Sequence, residues 1–463
     1  MFKRILVANR AEIAIRIIRT CREMNIETIA VYSTADKDSL HVKLATDSVC
    51  IGPASSTESY LNMDAIITAA KVTGCDALHP GFGFLSENSE FARRCYKEGI
   101  VFIGPTPKAM DLLGNKLLAR KMMQKAGVPV VPGSDGPVDN LSMLEKIADR
   151  IGYPVLIKAS AGGGGRGMRR VLKKEQLEAM YREAKAEARA CFGNDEMYLE
   201  KLIMNPKHVE FQILADEFGN VLQLGERDCS IQRKNQKLIE ESPCMALKDD
   251  LRKQMGKAAV AAAKAANYTN AGTVEFVLDA KGHFYFIEMN TRIQVEHGVT
   301  EAVTGLDLIK EQIRIAYHEP LKLKQKDVRL SGHAIECRIN AEDPSKDFKA
   351  NTGTVEFLNL PGGPGVRVDT HLYNGYATSP FYDSMLAKII VHAPTRLDAI
   401  RRMRRALLEF TLEGIETNVD FDYLLMHHPS FIRGKYSVNF IEKHADEILK
   451  WDRAAGQKEN DKK

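Results

Sequence analysis

The chain has 463 residues, about three domains at roughly 150 residues each. Hydrophobic residues make up 44% and charged residues 27%, the balance of a folded globular enzyme and not of a disordered or fibrous chain. Sixty-five Lys and Arg against 61 Asp and Glu leave a net charge of +4, too thinly spread to be a footprint for nucleic acid, so any anion site is local.

No run of about 18 apolar residues occurs, which excludes a membrane-spanning helix. Met1 to Arg10 enters an apolar strand-like segment without the zones of a secretory signal, which predicts a cytoplasmic protein. The eight cysteines show neither Cys-x-x-Cys nor Cys/His ligand spacing and predict reduced thiols, with no zinc site and no disulfide framework.

In chain order, Ile5-Leu-Val-Ala8 is a short apolar strand, Ile13, Ile17, Ile18 and Cys21 recur at helical spacing, and Thr28 to Tyr32 is strand-like again. The chain therefore opens with a βαβ unit. Its turn, Asn9-Arg-Ala-Glu12, lacks the glycines that bring a backbone onto a pyrophosphate, so the unit reads as scaffold and not as a dinucleotide site. The rhythm continues through Ala65 to Ala70, Ala77-Leu78 and Ile100 to Ile103, closes at Gly104-Pro-Thr-Pro107, and predicts a first domain over residues 1–113. A helix with Lys116, Leu117, Lys121 and Met122 opens a second domain over 114–317, with an inserted subdomain at about 133–203. The charged stretch Leu321 to Arg329 reads as a connector to a mixed third region over 330–447, followed by a polar tail at 448–463.

Lys158-Ala-Ser-Ala-Gly-Gly-Gly-Gly-Arg-Gly167 follows an apolar strand and exposes many unhindered amides, which suits a backbone that folds over phosphate oxygens. It is neither a dinucleotide fingerprint, because Arg169-Arg-Val-Leu172 reads as strand, nor a Walker A loop, because Met168 stands where the lysine belongs. A flexible hairpin is the alternative, and Lys158 just before the loop argues against it.

Thr273-Val-Glu-Phe-Val-Leu278 and His283-Phe-Tyr-Phe-Ile-Glu288, joined by Asp279-Ala-Lys-Gly282, read as a β-hairpin. A four-residue loop pairs Leu278 with His283 and Thr273 with Glu288, which puts Glu275 and Glu288 on one face as diagonal neighbours about 7 to 8 Å apart at Cα. Two carboxylates among apolar residues resist ionisation unless a partner relieves them; a divalent cation such as Mg²⁺, bound jointly with ATP phosphates, is one. Two solvated glutamates on an outer face are the alternative.

Beyond Glu288 the polar residues keep strict alternation: Glu288, Asn290, Arg292, Gln294 and Glu296. An extended segment of that length spans roughly 26 Å, so it must bend or serve two adjacent substrates. The second option sets a metal-nucleotide end at Glu288 and Asn290 against an anion end at Arg292, with Glu296 available as a base. An ordinary half-exposed strand would alternate too, but its solvated face rarely lacks Lys, Ser and Thr altogether.

Over roughly 1–447 the chain resembles biotin carboxylases of the ATP-grasp superfamily. The resemblance is carried by Ile5 to Ile13, His79-Pro-Gly-Phe-Gly-Phe-Leu-Ser-Glu-Asn88, Lys158 to Met168, Glu226-Arg-Asp-Cys-Ser230, Phe286 to His297 and Glu336-Cys-Arg-Ile-Asn-Ala-Glu-Asp343. It implies an α/β protein: a Rossmann-like N-terminal domain, an ATP-grasp domain with a mobile lid at about 133–203, and a mixed α+β C-terminal domain. It also implies a two-stage reaction in which ATP phosphorylates bicarbonate to carboxyphosphate, whose CO₂ is captured by biotin. By resemblance, Lys116, Lys158, Gly164, Gly165, Glu200, Lys201, Leu202, Ile203, His208 and Asn235 are nucleotide contacts, and Glu275, Glu288 and Asn290 hold Mg²⁺ or Mn²⁺. Lys237, Arg292, Gln294 and Val295 form the bicarbonate cradle, Glu296 is the base, and Arg338 stabilises the biotin enolate.

Four positions depart from the family pattern. Asn235 stands where His is frequent and Phe82 where Tyr is frequent; Ala161 interrupts the glycine run, and Gly298 replaces a usual Pro, which predicts a looser turn. No Ala-Met-Lys-Met biotin-attachment segment is present, so biotin is expected in trans on a biotin carboxyl carrier protein, with carboxyltransferase subunits as further partners. An acetyl-CoA carboxylase is the natural setting; a pyruvate or other acyl-CoA carboxylase, or a different ATP-grasp carboxylate-amine ligase, is the alternative. The resemblance also suggests a homodimer.

Overall fold

The computed structural model describes residues 1–138, 140–160 and 167–460 and begins with the expected βαβ unit. β1 (Arg4–Val7) leads into the helix Ala11–Glu23, which buries Ile13, Ile17, Ile18 and Cys21, and β2 (Glu27–Ser33) returns parallel to β1. β3 (Asp47–Gly52), β4 (Ala77–His79) and β5 (Val101–Phe102) complete a parallel sheet in the order β3-β2-β1-β4-β5. Such a sheet places ligands where the strand order reverses, at the loops leaving β1 and β4. Asn9 ties these loops together by donating from Nδ2 to the carbonyls of Pro80 and Phe82, both at 2.7 Å. Gly81 has φ +62°, and a Cβ there would meet Asn9 Nδ2 at 2.8 Å, so the junction requires glycine. The loop after β4 delivers Glu87 to the site described below.

β6 (Val155–Ala159), β7 (Met168–Val171) and β8 (Met197–Lys201) form a separate antiparallel sheet, packed by the helices Leu141–Ile151 and Leu177–Phe192. β7 falls where Arg169-Arg-Val reads as strand. Gly164 and Gly165, expected to contact nucleotide, and the departure at Ala161 lie outside the described residues.

The remaining strands are β9 (Lys207–Ala215), β10 (Val221–Arg233), β11 (Gln236–Ser242), β12 (Asn270–Leu278), β13 (Phe284–Asn290) and β14 (His333–Asn340). They are followed by β15 (Glu342–Asp343), β16 (Lys349–Ala350), β17 (Phe357–Asn359), β18 (Val366–Thr370), β19 (Met385–Ala393) and β20 (Thr411–Glu413). β15 pairs with β16 and β17 with β20; the others make one antiparallel sheet ordered β13-β12-β9-β10-β11-β14-β19-β18. One face is apolar. The helix Asp249–Ala265 sets Met255, Ala259 and Ala262 against Phe211, Val274 and Phe276, and the helix Arg396–Glu409 sets Ala399, Ile400 and Met403 against Ile335, Ile389 and Val391. Period-two alternation sends the intervening residues to the opposite face, where charged groups gather.

Two expectations are corrected. In the β12–β13 hairpin Leu278 pairs with Phe284, and Glu275 lies directly opposite Glu288, not diagonal to it. Asp279 Oδ1 accepts from the Lys281 and His283 amides, both at 2.8 Å, which draws His283 into a longer loop. An irregularity between Glu275 and Phe276 then restores the pairing of the two carboxylates. The polar track, secondly, is not extended as far as Glu296: β13 stops at Asn290, and the helix His297–Thr304 follows a bend. β13 is an edge strand, and Glu87 Oε1 takes the Thr291 amide at 2.9 Å and its hydroxyl at 3.1 Å, so no ladder continues. Gly298 sits buried in the first turn of that helix; a Cβ there would meet Ile390 Cδ1 at 2.4 Å, so an isoleucine methyl fills the space of the absent ring.

Candidate active site

A row of four charged residues crosses the polar face of the large sheet in register: Glu288 on β13, Glu275 on β12, Glu210 on β9 and Arg227 on β10. Like charges directly opposite one another repel, so three adjacent carboxylates require counter-charge. Arg227 is fully buried and supplies part of it. Its Nε donates to Glu210 Oε1 at 2.6 Å, and its remaining N–H groups go to Gln212, Thr300, Thr273 and Gln294 oxygens at 2.7 to 3.1 Å.

Lys237 on β11 supplies the rest. Its ammonium donates to Glu210 Oε2 at 2.6 Å, Glu275 Oε1 at 3.1 Å and Glu296 Oε1 at 2.6 Å, using all three donors. Burial alone would lower the lysine, but the three glutamates outweigh it and hold Lys237 well above the ordinary lysine range. Glu296 shows the reverse balance: burial would raise it, while Lys237, Arg338 and Arg227 hold it well below the ordinary carboxylate range. Its second oxygen accepts from Arg338 Nη2 at 3.0 Å. Arg338 Nε also donates to Glu240 Oε1 at 2.7 Å, and Glu240 is pushed up to about 7 by burial and by Glu296, against the pull of Arg338.

Glu275 is the most heavily engaged of the carboxylates. Besides Lys237, its Oε1 accepts from Asn290 Nδ2 and Gln294 Nε2, both at 2.8 Å, and its Oε2 lies 3.0 Å from His208 Nε2. Burial would lower the His208 imidazolium, but Glu275 and Glu210 overcome it and raise it. Glu288 differs. Burial and the neighbouring Glu275 push its carboxyl up, opposed chiefly by Lys116, and among the described residues it has neither hydrogen bond nor ion pair. A half-buried carboxylate facing a second one without a partner fits a divalent cation, with Asn290 beside it. The cluster His208, Glu210 and Glu275 fits one less well, because the Lys237 ammonium already lies among its oxygens.

At the other end of the site Lys158 lies 2.5 Å from Glu200 Oε2, with Arg120 Nη1 3.3 Å from Glu200 Oε1. Burial opposes the charge on Lys158, but Glu200, Tyr198 and Glu288 raise it above an ordinary lysine, so a preformed cation stands where β6 enters the glycine-rich loop. Arg292 donates from Nε to Glu87 Oε2 at 3.0 Å and from Nη2 to Asn290 Oδ1 at 3.2 Å, which docks the parallel-sheet loop onto the metal end of the site.

Three family models match the chain: the biotin carboxylase N-terminal domain over residues 1–110, the carbamoyl-phosphate synthase L chain ATP-binding domain over 115–324, and the biotin carboxylase C-terminal domain over 336–443. Biotin carboxylase of a Nostoc species is 56% identical over 441 residues, covering 95% of this chain and 99% of the relative. The chain belongs to the biotin carboxylase family. A pyruvate carboxylase subunit of Methanothermobacter thermautotrophicus is 50% identical over 444 residues, 96% of this chain and 90% of the relative. The crystal structure of the biotin carboxylase domain dimer of Hydrogenobacter thermophilus 2-oxoglutarate carboxylase, in complex with MgADP, ADP and bicarbonate, has a TM-score of 0.92 at 49% identity, over 97% of this chain and 99% of that one. This biotin carboxylase family member is thus an ATP-grasp ligase of α/β architecture.

In this family member, one hydrogen-bonded or ion-paired network brings together His208, Lys237, Glu275, Asn290, Arg292, Gln294, Glu296 and Arg338. Lys116 and Lys158 stand outside this network and act by charge on Glu288, which lies opposite Glu275. Val295 contributes its carbonyl, which accepts from Lys388 at 2.7 Å. Other expected nucleotide contacts stand apart. The Lys201 ammonium is turned to the carbonyls of Gly152 and Tyr153, both at 2.8 Å, and the Leu202 amide goes to the Pro154 carbonyl, while Ile203 is half-buried beyond them. Asn235 lies in the exposed turn between β10 and β11 at φ 68°, with no side-chain hydrogen bond among the described residues.

The sequence reading missed Glu87, Glu210, Arg227, Glu240 and Lys388, which fix the positions of the expected groups. Glu87 and Arg227 lie within strings that carry the family resemblance, and Glu210 had a signal of its own, since His208-Val-Glu-Phe-Gln212 alternates as Thr273 to Leu278 does. Among the described residues no helix is long and apolar enough to cross a membrane.

Proposed function

We propose that the chain carboxylates biotin held on a separate carrier protein, using ATP and bicarbonate by way of carboxyphosphate. The observation that carries this reading is the cationic frame around one carboxylate: Lys237 and Arg338 grip Glu296, next to an edge where Glu275 and Glu288 face each other. Bicarbonate and the transferred phosphoryl group are both anionic, and pre-placed cations stabilise the charge that develops between them without reorganising.

Glu296 is held ionised and is a weak base in the resting site. A bicarbonate that takes contacts from Lys237 and Arg338 weakens their hold on Glu296 and raises its proton affinity, so substrate binding prepares the base. Arg292 and Gln294 complete the anion end, and Lys116, Lys158 and His208 flank the nucleotide end with Glu200 and the backbone of 201–203; Asn235 is a marginal member. Glu275, Glu288 and Asn290 would hold Mg²⁺ or Mn²⁺, which when bound supplies charge neutralisation for the phosphates. Arg338, already on Glu296, is placed to steady the enolate of the incoming biotin.

The acetyl-CoA carboxylase half-reaction is the preferred setting, with a biotin carboxyl carrier protein and carboxyltransferase subunits as partners and a homodimer as the working form. Relatives named for pyruvate and 2-oxoglutarate carboxylases keep other acceptors as the second reading. Purified protein with Mg²⁺ and ATP is expected to release ADP only with bicarbonate, and faster with free biotin. ADP release that needs an amine and ignores bicarbonate would assign it instead to the carboxylate-amine ligases.

A further inference from the structure

Lys388 on β19 has no place in the chemistry above, yet it is completely buried and its ammonium ends 2.7 Å from the Val295 carbonyl. Burying a lysine is costly unless carboxylates pair with it. Here Glu12 of the helix Ala11–Glu23 lies 3.2 Å away and Asp369 of β18 lies 3.9 Å away, while Glu336 of β14 and Arg367 of β18 add their charges. Asp369 is mainly committed to Arg367, through contacts of 2.6 to 3.1 Å. Glu12 makes no conventional hydrogen bond, so the strongest directed contact of the Lys388 ammonium is the carbonyl.

That carbonyl belongs to the peptide leading into Glu296, the N-cap residue of the helix His297–Thr304. The Gln294 carbonyl already accepts from the His297 ring at 2.8 Å, and the Glu296 carbonyl from the Val299 amide at 3.3 Å. In a planar trans peptide the C=O and the following N–H point in opposite directions. A cation that fixes the Val295 carbonyl therefore fixes the direction of the Glu296 amide and the starting point of its side chain.

We propose that Lys388 is a positioning residue for the carboxylation reaction, its ammonium holding the Val295–Glu296 peptide so that Glu296 meets the substrate anion. This rests on the reading of Glu296 as the base. Groups from two other strands, β14 and β18, and from the helix Ala11–Glu23 surround the ammonium, so residues far apart in the chain set the position of this contact.

The test compares Lys388→Met with the double variant Lys388→Met/Glu12→Gln, which removes the ammonium together with its nearest carboxylate and so leaves the local net charge unchanged. The double variant is expected to regain most of the thermal stability lost by the single one. It should keep its KM for ATP within about two-fold, while its kcat/KM for bicarbonate stays down about ten- to hundred-fold, the effect of one lost charge-assisted hydrogen bond. Glu12→Gln alone, which leaves the carbonyl contact in place, should retain normal bicarbonate kinetics. A double variant with wild-type bicarbonate kinetics overturns the proposal, as does one whose kinetics for ATP and bicarbonate fall equally. Glu296→Gln, run in the same assay, separates the two claims: normal turnover there would remove the reading of the base, whatever Lys388 does.

Discussion

Replacing Lys237 with Met keeps a similar side-chain length and deletes the charge that three carboxylates share. The loss of three charge-assisted hydrogen bonds would cost about 4 to 9 kcal/mol if nothing responded. A cheaper response exists: one glutamate takes a proton. An ordinary glutamate titrates near 4.5, so holding one protonated at pH 7 costs about 3.4 kcal/mol at 1.36 kcal/mol per pH unit, and about 1.4 kcal/mol at pH 5.5. The sign follows from linkage: the folded variant binds a proton that its unfolded chain does not, so the penalty shrinks as pH falls. At about 2 to 4 °C per kcal/mol for a domain of this size, the variant should melt about 7 to 14 °C below wild type at pH 7 and about 3 to 6 °C below at pH 5.5. Thermal unfolding followed by circular dichroism at the two pH values measures this. A deficit unchanged between them would refute the idea that Lys237 serves as the shared counter-charge. Bicarbonate-dependent ATP cleavage should fall by about 100-fold or more at either pH.

Glu288→Gln should raise the Mg²⁺ concentration needed for half-maximal ATP cleavage by about ten-fold or more, since one of two facing carboxylates is neutralised; a magnesium titration checks it. Arg338→Ala should slow biotin carboxylation at least ten-fold more than biotin-independent ATP cleavage, although its contact with Glu296 means that both decline; matched ADP and carboxybiotin assays separate the two. In the first domain, burial would raise Asp36, but Arg10 and Tyr60 lower it to about 2, against 3.8 unfolded, so its stabilisation is whole above pH 4 and is lost as pH falls toward 2. Asp36→Asn should therefore cost about 2 kcal/mol at neutral pH and progressively less in acid, as read by denaturant unfolding.

The sheets were legible where burial is one-sided. Ile13, Ile17, Ile18 and Cys21 predict the first helix, and alternation in Thr273 to Leu278 and Phe284 to Glu288 predicts the hairpin, because each pattern reports which face leaves water. The exact pairing of Glu275 and Glu288 was not legible, because an Asp279 side chain sets the loop and a single irregularity resets the register. Nor was the end of the polar track, since alternation continues past Asn290 while Glu87, some 200 residues earlier in the chain, takes the next amide. The counter-charge Lys388 was silent for the same reason: a buried cation is identified by what surrounds it, and Lys388 meets groups from Glu12 to Asp369 only when the chain is folded.

In the proposed reaction bicarbonate itself attacks the terminal phosphoryl group of ATP. Turnover with ¹⁸O-labelled bicarbonate and mass analysis of the released phosphate tests it most directly. Transfer of one labelled oxygen to each phosphate is the predicted result, because the bridging oxygen of carboxyphosphate stays on phosphorus. Unlabelled phosphate from bicarbonate-dependent ATP cleavage would contradict it.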